Sequence, residues 1–430
     1  MKKINSDIEY RKILEAQGAL PSGFKTGCTS LSFVPEELES GNLMEMNFSM
    51  LLLDEPTNVF AGTFTRNQFP GAPVYLCRDR LNNEKFQGIL INNKIANVCI
   101  ETGLDDSEQV LKVAAQQLGC DPSFLMASST GVIGWRLPVE KMKEAVPELV
   151  KSTVNDSEKN AYKLSKHIMT TDSFPKLRSR TLPGGGRIVA VAKGAGMIEP
   201  NMATMLCFVM TDLAVSRETL RAMLPGIVSK TFNRISVDSD QSTSDMVIAA
   251  SSALVPCDDT KLFENALFEV CSELASDIVR NGEGTSHVIK VKVSGAETEE
   301  QASSIGKALV NSPLVKTAIA GNDPNVGRFI SSVGDYCGNA GIDIPVRKLE
   351  LHLGGSLIFS EGAFRLTPQK EKELSEYLKN CSYPAEHKGW PVNDKTVDIE
   401  INLGIGESVS IITGSDLTHE YVSENADYRS

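Results

Sequence analysis

Long hydrophobic runs, histidine, tryptophan and paired cysteines are scarce in this chain, and each scarcity removes a class of function. The longest apolar run, Met202 to Met210 and broken by Thr204, falls far short of the ~20 residues that a membrane-crossing helix needs. The opening stretch MKKINSDIEYRK is basic but is followed by no apolar segment, so no secretory signal is expected and the reading is a cytoplasmic protein. Nine cysteines (Cys28, Cys77, Cys99, Cys120, Cys207, Cys257, Cys271, Cys337 and Cys381) include no C-x-x-C pair. They give neither a zinc frame nor a disulfide framework, and read as reduced, mostly buried small hydrophobes. Five histidines without an H-E-x-x-H pattern give a metal hydrolase little support, and no metal site is expected. A net charge of -12 with no block of like charges disfavours nucleic acid and anionic membrane as partners. What is left is a small substrate, and an anionic one must be met by local Lys or Arg.

The 430 residues exceed the size at which a single core keeps growing, so two or three packed subdomains are expected. With 41% apolar and 23% charged residues the composition is that of an ordinary soluble globular protein. No repeat is visible, and no low-complexity tract exceeds Gly184 to Gly186. Helical spacing is clear in DDSEQVLKVAAQQLG, with Asp105 or Asp106 as cap and Gly119 as stop, and in SRETLRAMLPGIVSKTF behind the cap Ser216. In KLFENALFEVCSELASDIVRNG the spacing turns Leu262, Phe263, Ala266, Leu267, Val270, Leu274 and Ile278 inward, and Asn281-Gly282 ends the helix. Thr367 and Pro368 open another helix as cap and first residue. RIVAVAKG, HVIKVKV and VDIEINLG read as strands, and MLCFVMTD as a strand buried on both faces. The expected class is α/β or α+β, with mixed sheets covered by helices. The glycine-rich LPGGGRIVAVAKGAGMIEPN reads as a joint between two halves.

One residue is out of place in this pattern. Thr204 stands between a proline-broken loop and an almost wholly apolar stretch. Alone, it is a β-branched residue of a core strand, the commoner case. A threonine hydroxyl inside a chain needs an adjacent base to become a nucleophile, and none is near in sequence. If the Ala203-Thr204 peptide is cut, Thr204 acquires an α-amine with a pKa of about 7.7 to 8.0, part of which is neutral at physiological pH and can take the hydroxyl proton. The threonine oxygen can make that cut itself by attacking the Ala203 carbonyl. Pro200 and the small Ala203 suit a strained entry into a buried strand.

The surrounding segment KGAGMIEPNMATML closely resembles the maturation segment of the ornithine acetyltransferase family, also called glutamate N-acetyltransferase, which is cut before the threonine. The match runs through Lys193, Gly194, Gly196, Met197, Ile198, Pro200, Asn201, Met202, Ala203, Thr204, Met205 and Leu206. Further segments extend it over most of the chain. ASSTGVIGWRLP resembles the family's S-T-G-V-I-G, which implies that Thr130 and Gly131 form the oxyanion hole; such donors matter because acyl transfer places negative charge on the carbonyl oxygen. IMTTDSFPK resembles I-M-T-T-D-x-x-P-K and implies that Thr170 touches substrate. Lys193 carries over as a second substrate contact, although alone it is a solvated lysine after a strand. RNGEGTSH resembles D-G-E-G-A-T-K, which makes Glu283 the acidic partner of the substrate's amino end. HEYVSENADYRS resembles the family ending and implies substrate contacts from Asn425 and Ser430, so this terminus is expected to be tied down. SVDSDQSTSD, with Asp238, Asp240, Thr243 and Asp245, lacks the spacing of an EF-hand and reads as a polar turn supporting the site.

Departures from the family pattern are also visible. Lys94 and Ile95 replace a small and polar pair in INNKIANVC, Val326 replaces a tryptophan in GNDPNVGR, and Asn281 and His287 stand where Asp and Lys are usual. None touches the nucleophile or the oxyanion pair, but they bear on which amine and acyl group fit. The resemblance implies a two-domain sandwich of the N-terminal-threonine-nucleophile type. It also implies a self-cleaved α chain of residues 1 to 203 and β chain of 204 to 430, associated as a heterotetramer or larger. The implied reaction moves an acetyl group from N-acetylornithine to glutamate through acetyl-Thr204, in the cyclic route to arginine and without a cofactor. Use of acetyl-CoA as a second donor stays open, and no nucleotide-binding motif is present. Three other readings stay open: an N-terminal-threonine amidohydrolase or aminopeptidase, a substrate-shifted paralogue, and an idle scaffolding homologue.

Overall fold

The computed structural model describes residues 4–39, 41–153, 160–199, 205–384 and 389–426. Packing divides the chain into two units, the first taking in Asp7–Asn233 and Asp240–Ile278, the second Met1–Ser6, Arg234–Ser239 and Val279–Ser430. The glycine-rich stretch is therefore not where the packing divides: Arg187–Lys193 and Leu206–Ala214 are antiparallel neighbours in one sheet of the first unit.

Among the described residues the first unit holds two sheets. Strands Phe24–Phe33, Met44–Thr57, Phe86–Asn92 and Leu125–Ser129 lie side by side in that order, the last two parallel. The second sheet runs Phe60–Phe64, Met246–Pro256, Leu206–Ala214, Arg187–Lys193 and Lys176–Thr181. Its centre is the strand read from MLCFVMTD, buried on both faces from Leu206 to Leu213. An apolar run that short, with no polar alternation, is stable only when both faces are covered. The helix Gly103–Leu118 begins earlier than its aspartates suggest, so that Asp105 and Asp106 sit in its first turn and favour the positive end of its dipole. Its stop is as expected, with Gly119 at φ +69°. Ser216 caps Arg217–Lys230 by accepting from the Thr219 N–H.

Among the described residues the second unit is built on one seven-stranded mixed sheet, with Glu350–Leu353, Val397–Asn402, Val288–Ala296 and Ser408–Ser415 adjacent in its middle. The helix Glu299–Asn311 packs on Val288–Ala296 and Ser408–Ser415. That approach needs glycine at position 306, where a Cβ would lie 2.6 Å from Ile412. Thr367 caps Pro368–Cys381 through the Lys370 N–H, as expected. The architecture is mixed α/β, with helices against mixed sheets. Among the described residues no helix is long and apolar enough to cross a membrane.

One expectation about the helix Thr260–Arg280 is corrected. Phe263, Ala266, Leu267, Val270, Leu274 and Ile278 are buried, but Leu262 is 38% exposed because it lies at the first turn, on the edge of the apolar stripe. Leu267→Ala is expected to cost about 2–5 kcal/mol, and Leu262→Ala less than about 1 kcal/mol. Urea unfolding followed by circular dichroism checks the pair, and equal losses would contradict the assigned stripe.

Candidate active site

The parallel strands Phe86–Asn92 and Leu125–Ser129 pair with Asn92 opposite Ser129, and Thr130-Gly131 leaves the sheet just beyond. The carboxyl ends of parallel strands leave backbone groups for a loop to satisfy, and two asparagines do so here. The Asn92 carbonyl accepts from Thr130 N at 3.1 Å, while its side chain accepts from Ser129 Oγ at 2.7 Å. Asn93 accepts from Asn47 N at 2.8 Å and donates to Met169 O at 2.9 Å, tying in the segment that carries Thr170.

Gly131 has φ +132°, and a Cβ there would sit 2.1 Å from the Lys94 carbonyl carbon. Val132 N donates to Lys94 O at 2.8 Å, which holds the two loops together. Among the described residues the Gly131 N–H has no hydrogen-bond partner. The Thr130 N–H is taken by Asn92, so what Thr130 has left to donate is its hydroxyl. That hydroxyl accepts from Lys193 Nζ at 3.3 Å, which leaves its hydrogen available. Lys193 ends the strand Arg187–Lys193 and is only 4% exposed. Among the described residues Thr130 Oγ1 is its one side-chain acceptor.

Asp172 links the remaining parts. Its Oδ2 accepts from Thr170 N at 3.1 Å; its Oδ1 accepts from Gly194 N at 2.7 Å and from Lys176 Nζ at 2.5 Å. Both side chains of the Asp172–Lys176 pair are wholly buried. Burial opposes the charge on Asp172, but Lys176, Lys193 and the Gly194 N–H outweigh it and hold its carboxyl at about 2. For Lys176 burial outweighs the pull of Asp172 and sets the ammonium's pKa below the ordinary lysine range. Thr130, Thr170 and Lys193 are thus joined in one hydrogen-bonded circuit within the first unit, with Gly131 next to Thr130 along the chain.

The sequence motifs named Thr170 and Lys193 but missed Asn92, Asn93, Asp172 and Lys176, which set their positions. The signal for all four was present, since INNKIANVC contains Asn92 and Asn93 and IMTTDSFPK contains Asp172 and Lys176. Ala203 and Thr204 lie outside the described residues, as does Ser430. Immediately after Thr204, Met205 N donates to Asp245 Oδ1 at 2.7 Å. Asp245 is 2% exposed, and burial drives its carboxyl well above the ordinary range, against the pull of the Met205 N–H and Lys193. Its Oδ2 has no partner among the described residues.

The other expected contacts belong to the second unit. Glu283 is buried and its Oε2 accepts from Asn425 Nδ2 at 2.8 Å, so the structure brings these two together. Asn425 lies on the helix His419–Ala426, which is tied down further by Tyr421 Oη on Asp238 Oδ2 at 3.3 Å. Asp238 and Asp245 thus serve different units. Among the described residues no cluster of His, Cys, Asp and Glu has the spacing to hold a metal ion.

Comparison with known proteins gives a consistent picture. Residues 38–430 match a family described as the ArgJ family. The chain is 36% identical to the arginine biosynthesis bifunctional protein ArgJ of Dehalococcoides mccartyi, over 95% of this chain and 96% of that protein. It is 39% identical to the glutamate N-acetyltransferase of Methanosarcina mazei, over 86% and 91% respectively. Among solved structures, the arginine biosynthesis bifunctional protein ArgJ of Bacillus halodurans is 34% identical, covering 51% of this chain and 97% of that one, with a TM-score of 0.44.

The Asp172 circuit has a pH signature. In an unfolded chain an aspartate titrates near ~3.9, whereas here the carboxyl is held at about 2. The folded value is the lower one, so the stability it contributes is complete above the unfolded value and drains away as pH falls towards the folded one. Between about pH 4.5 and 2.5 the urea midpoint of the wild type is expected to fall more steeply than that of Asp172→Asn. Parallel slopes would place the carboxylate's energetic role elsewhere.

Proposed function

The chain belongs to the ArgJ family, and from that premise we propose that it is a self-maturing acetyltransferase of arginine biosynthesis that uses Thr204 as its nucleophile. Acetyl transfer and the glutamate N-acetyltransferase activity follow from the family. The finer steps are a reading of these residues. Thr204 attacks the Ala203 carbonyl, and hydrolysis of the resulting ester gives an α chain of residues 1 to 203 and a β chain of 204 to 430. The new α-amine then takes the hydroxyl proton as Thr204 attacks the acetyl carbonyl of N-acetylornithine. Negative charge forming on the carbonyl oxygen is met by the Thr130 hydroxyl and the Gly131 N–H. The ornithine amine leaves with a proton, glutamate enters, and its amine takes the acetyl group from Thr204.

The observation that carries this reading is the meeting of Thr130, Gly131 and Lys193: two donors without other commitments beside a buried ammonium. A neutral acyl group with an anionic tail suits that combination. Thr170 joins Lys193 in holding substrate, and Glu283 with Asn425 and Ser430 receives the substrate's amino end. No metal or organic cofactor enters the route. The two chains pair as a heterotetramer or larger, in the cytoplasm, with acetyl-CoA as an additional donor in a bifunctional enzyme.

Intact mass under denaturing conditions tests maturation: two chains are expected, the second beginning Thr204-Met205-Leu206, and Thr204→Ala should stay whole and inactive. A single full-length wild-type chain would sink the proposal. Gly131→Ala must displace its N–H from the Lys94 loop, and kcat for acetyl transfer is expected to fall roughly 10²–10³-fold. Acetylornithine consumption at full rate without glutamate would instead favour the hydrolase reading.

A further inference from the structure

Two buried lysines share one aspartate at this site. Asp172 and Lys176 have wholly buried side chains and pair at 2.5 Å, while Lys193, 4% exposed, extends to the neutral hydroxyl of Thr130. The Gly194 N–H binds the same Asp172 oxygen that Lys176 holds, so the backbone beside Lys193 is fixed to the carboxylate while its ammonium is not. We propose that Lys176 is a positioning residue that sets the substrate charge: by occupying Asp172 it keeps the Lys193 ammonium for a substrate carboxylate, so that the site prefers an anionic amino acid to its uncharged amide. This rests on the acetyl-transfer reading and adds the source of its charge selection.

Among the described residues no carboxylate is a hydrogen-bond partner of Lys193. Asp277, which faces Lys176, is paired with Arg178 at 2.7 Å. Asp245 also faces Lys193: its Oδ1 accepts from Met205 N, its Oδ2 has no partner among the described residues, and burial favours its neutral form. An ammonium has three hydrogens to donate, and a desolvated one is costly unless an anion or several acceptors meet it. One carboxylate between two lysines leaves an excess of one positive charge, which a substrate carboxylate balances. Without Lys176 the count changes: Asp172 and Lys193 become equal and opposite, and each is the other's nearest answer.

The test is calorimetric binding of glutamate and of its two monoamides, glutamine and isoglutamine, to the matured wild type and to Lys176→Met. Glutamate is expected to bind about tenfold more weakly to the variant. The monoamide lacking the carboxylate that meets Lys193 should change less than about twofold. A purely structural role would weaken all three in parallel, and that result overturns the inference. The double variant Asp172→Asn with Lys176→Met removes both charges and is expected to keep the preference for glutamate over that monoamide to within about threefold of wild type, since replacing a whole buried pair is far milder than breaking it. It also carries the test if the single variant does not fold, and a loss beyond about tenfold in it would likewise overturn the inference. A wild type that neither transfers acetyl groups nor binds glutamate fails the functional reading itself, and this inference with it.

Discussion

The buried Asp172 carboxylate is the constraint on which the rest of the site depends. It collects a donor from each of three places, namely the Thr170 N–H, the Gly194 N–H and the Lys176 ammonium. A carboxylate removed from water is tolerated only when such donors surround it. In satisfying itself it fixes the segment that carries Thr170 relative to the strand end that carries Lys193. The separation of Thr170 from the strand end of Lys193 is therefore set by hydrogen bonds rather than by flexible side chains.

A second constraint acts on the backbone. Where parallel strands end, their last carbonyls and amides need partners, and Asn92 and Asn93 supply them from within the chain. The loops meet so closely that Gly131 has no room for a side chain, and Lys94 opposite it adopts φ +71°. A non-glycine residue in that region costs on the order of 1–3 kcal/mol, and such strain persists where the surroundings over-determine it. Here the surroundings are the Val132 N–H on Lys94 O and the Ala96 N–H on Val132 O. The result is an amide at Gly131 left over from the local hydrogen-bond pattern, which is what stabilising a transient oxyanion requires.

Much of this was legible in the sequence where the cause is local. The apolar run from Leu206 read as a doubly covered strand, and Ser216, Thr367 and Gly119 read as helix ends, because periodicity and capping act within a few residues. The motifs likewise named Thr130, Gly131, Thr170 and Lys193. Long-range partnerships were not legible. Nothing in DSFPK says that Asp172 reaches Gly194, and an Asp and a Lys at that spacing suggest a helical pair, whereas Lys176 in fact begins a strand. The packing division was hidden for the same reason, since residues 234–239 sit with a unit whose main body begins only at Val279. Leu262 was misplaced because helical spacing names a stripe but not how far a neighbour covers its end.

The departures from the family pattern can now be weighed by position. Val326 lies in the hydrophobic core of the second unit, where the helix Val326–Ala340 starts, so an aliphatic residue there serves packing. His287 is buried with Nδ1 2.8 Å from Asp416 Oδ2 and Nε2 3.2 Å from Leu378 O, so both ring nitrogens have acceptors. The histidine thus places a polar ring beside Asp416 where the family pattern has a lysine. Asn281 is buried as well, and Ile95 joins the core of the first unit. Lys94 differs: its side chain is exposed, while its backbone holds the loop of Gly131. Of the five, Lys94 and Ile95 are the two that lie against Gly131, and any shift in acyl group or acceptor amine is therefore to be sought at that pair first.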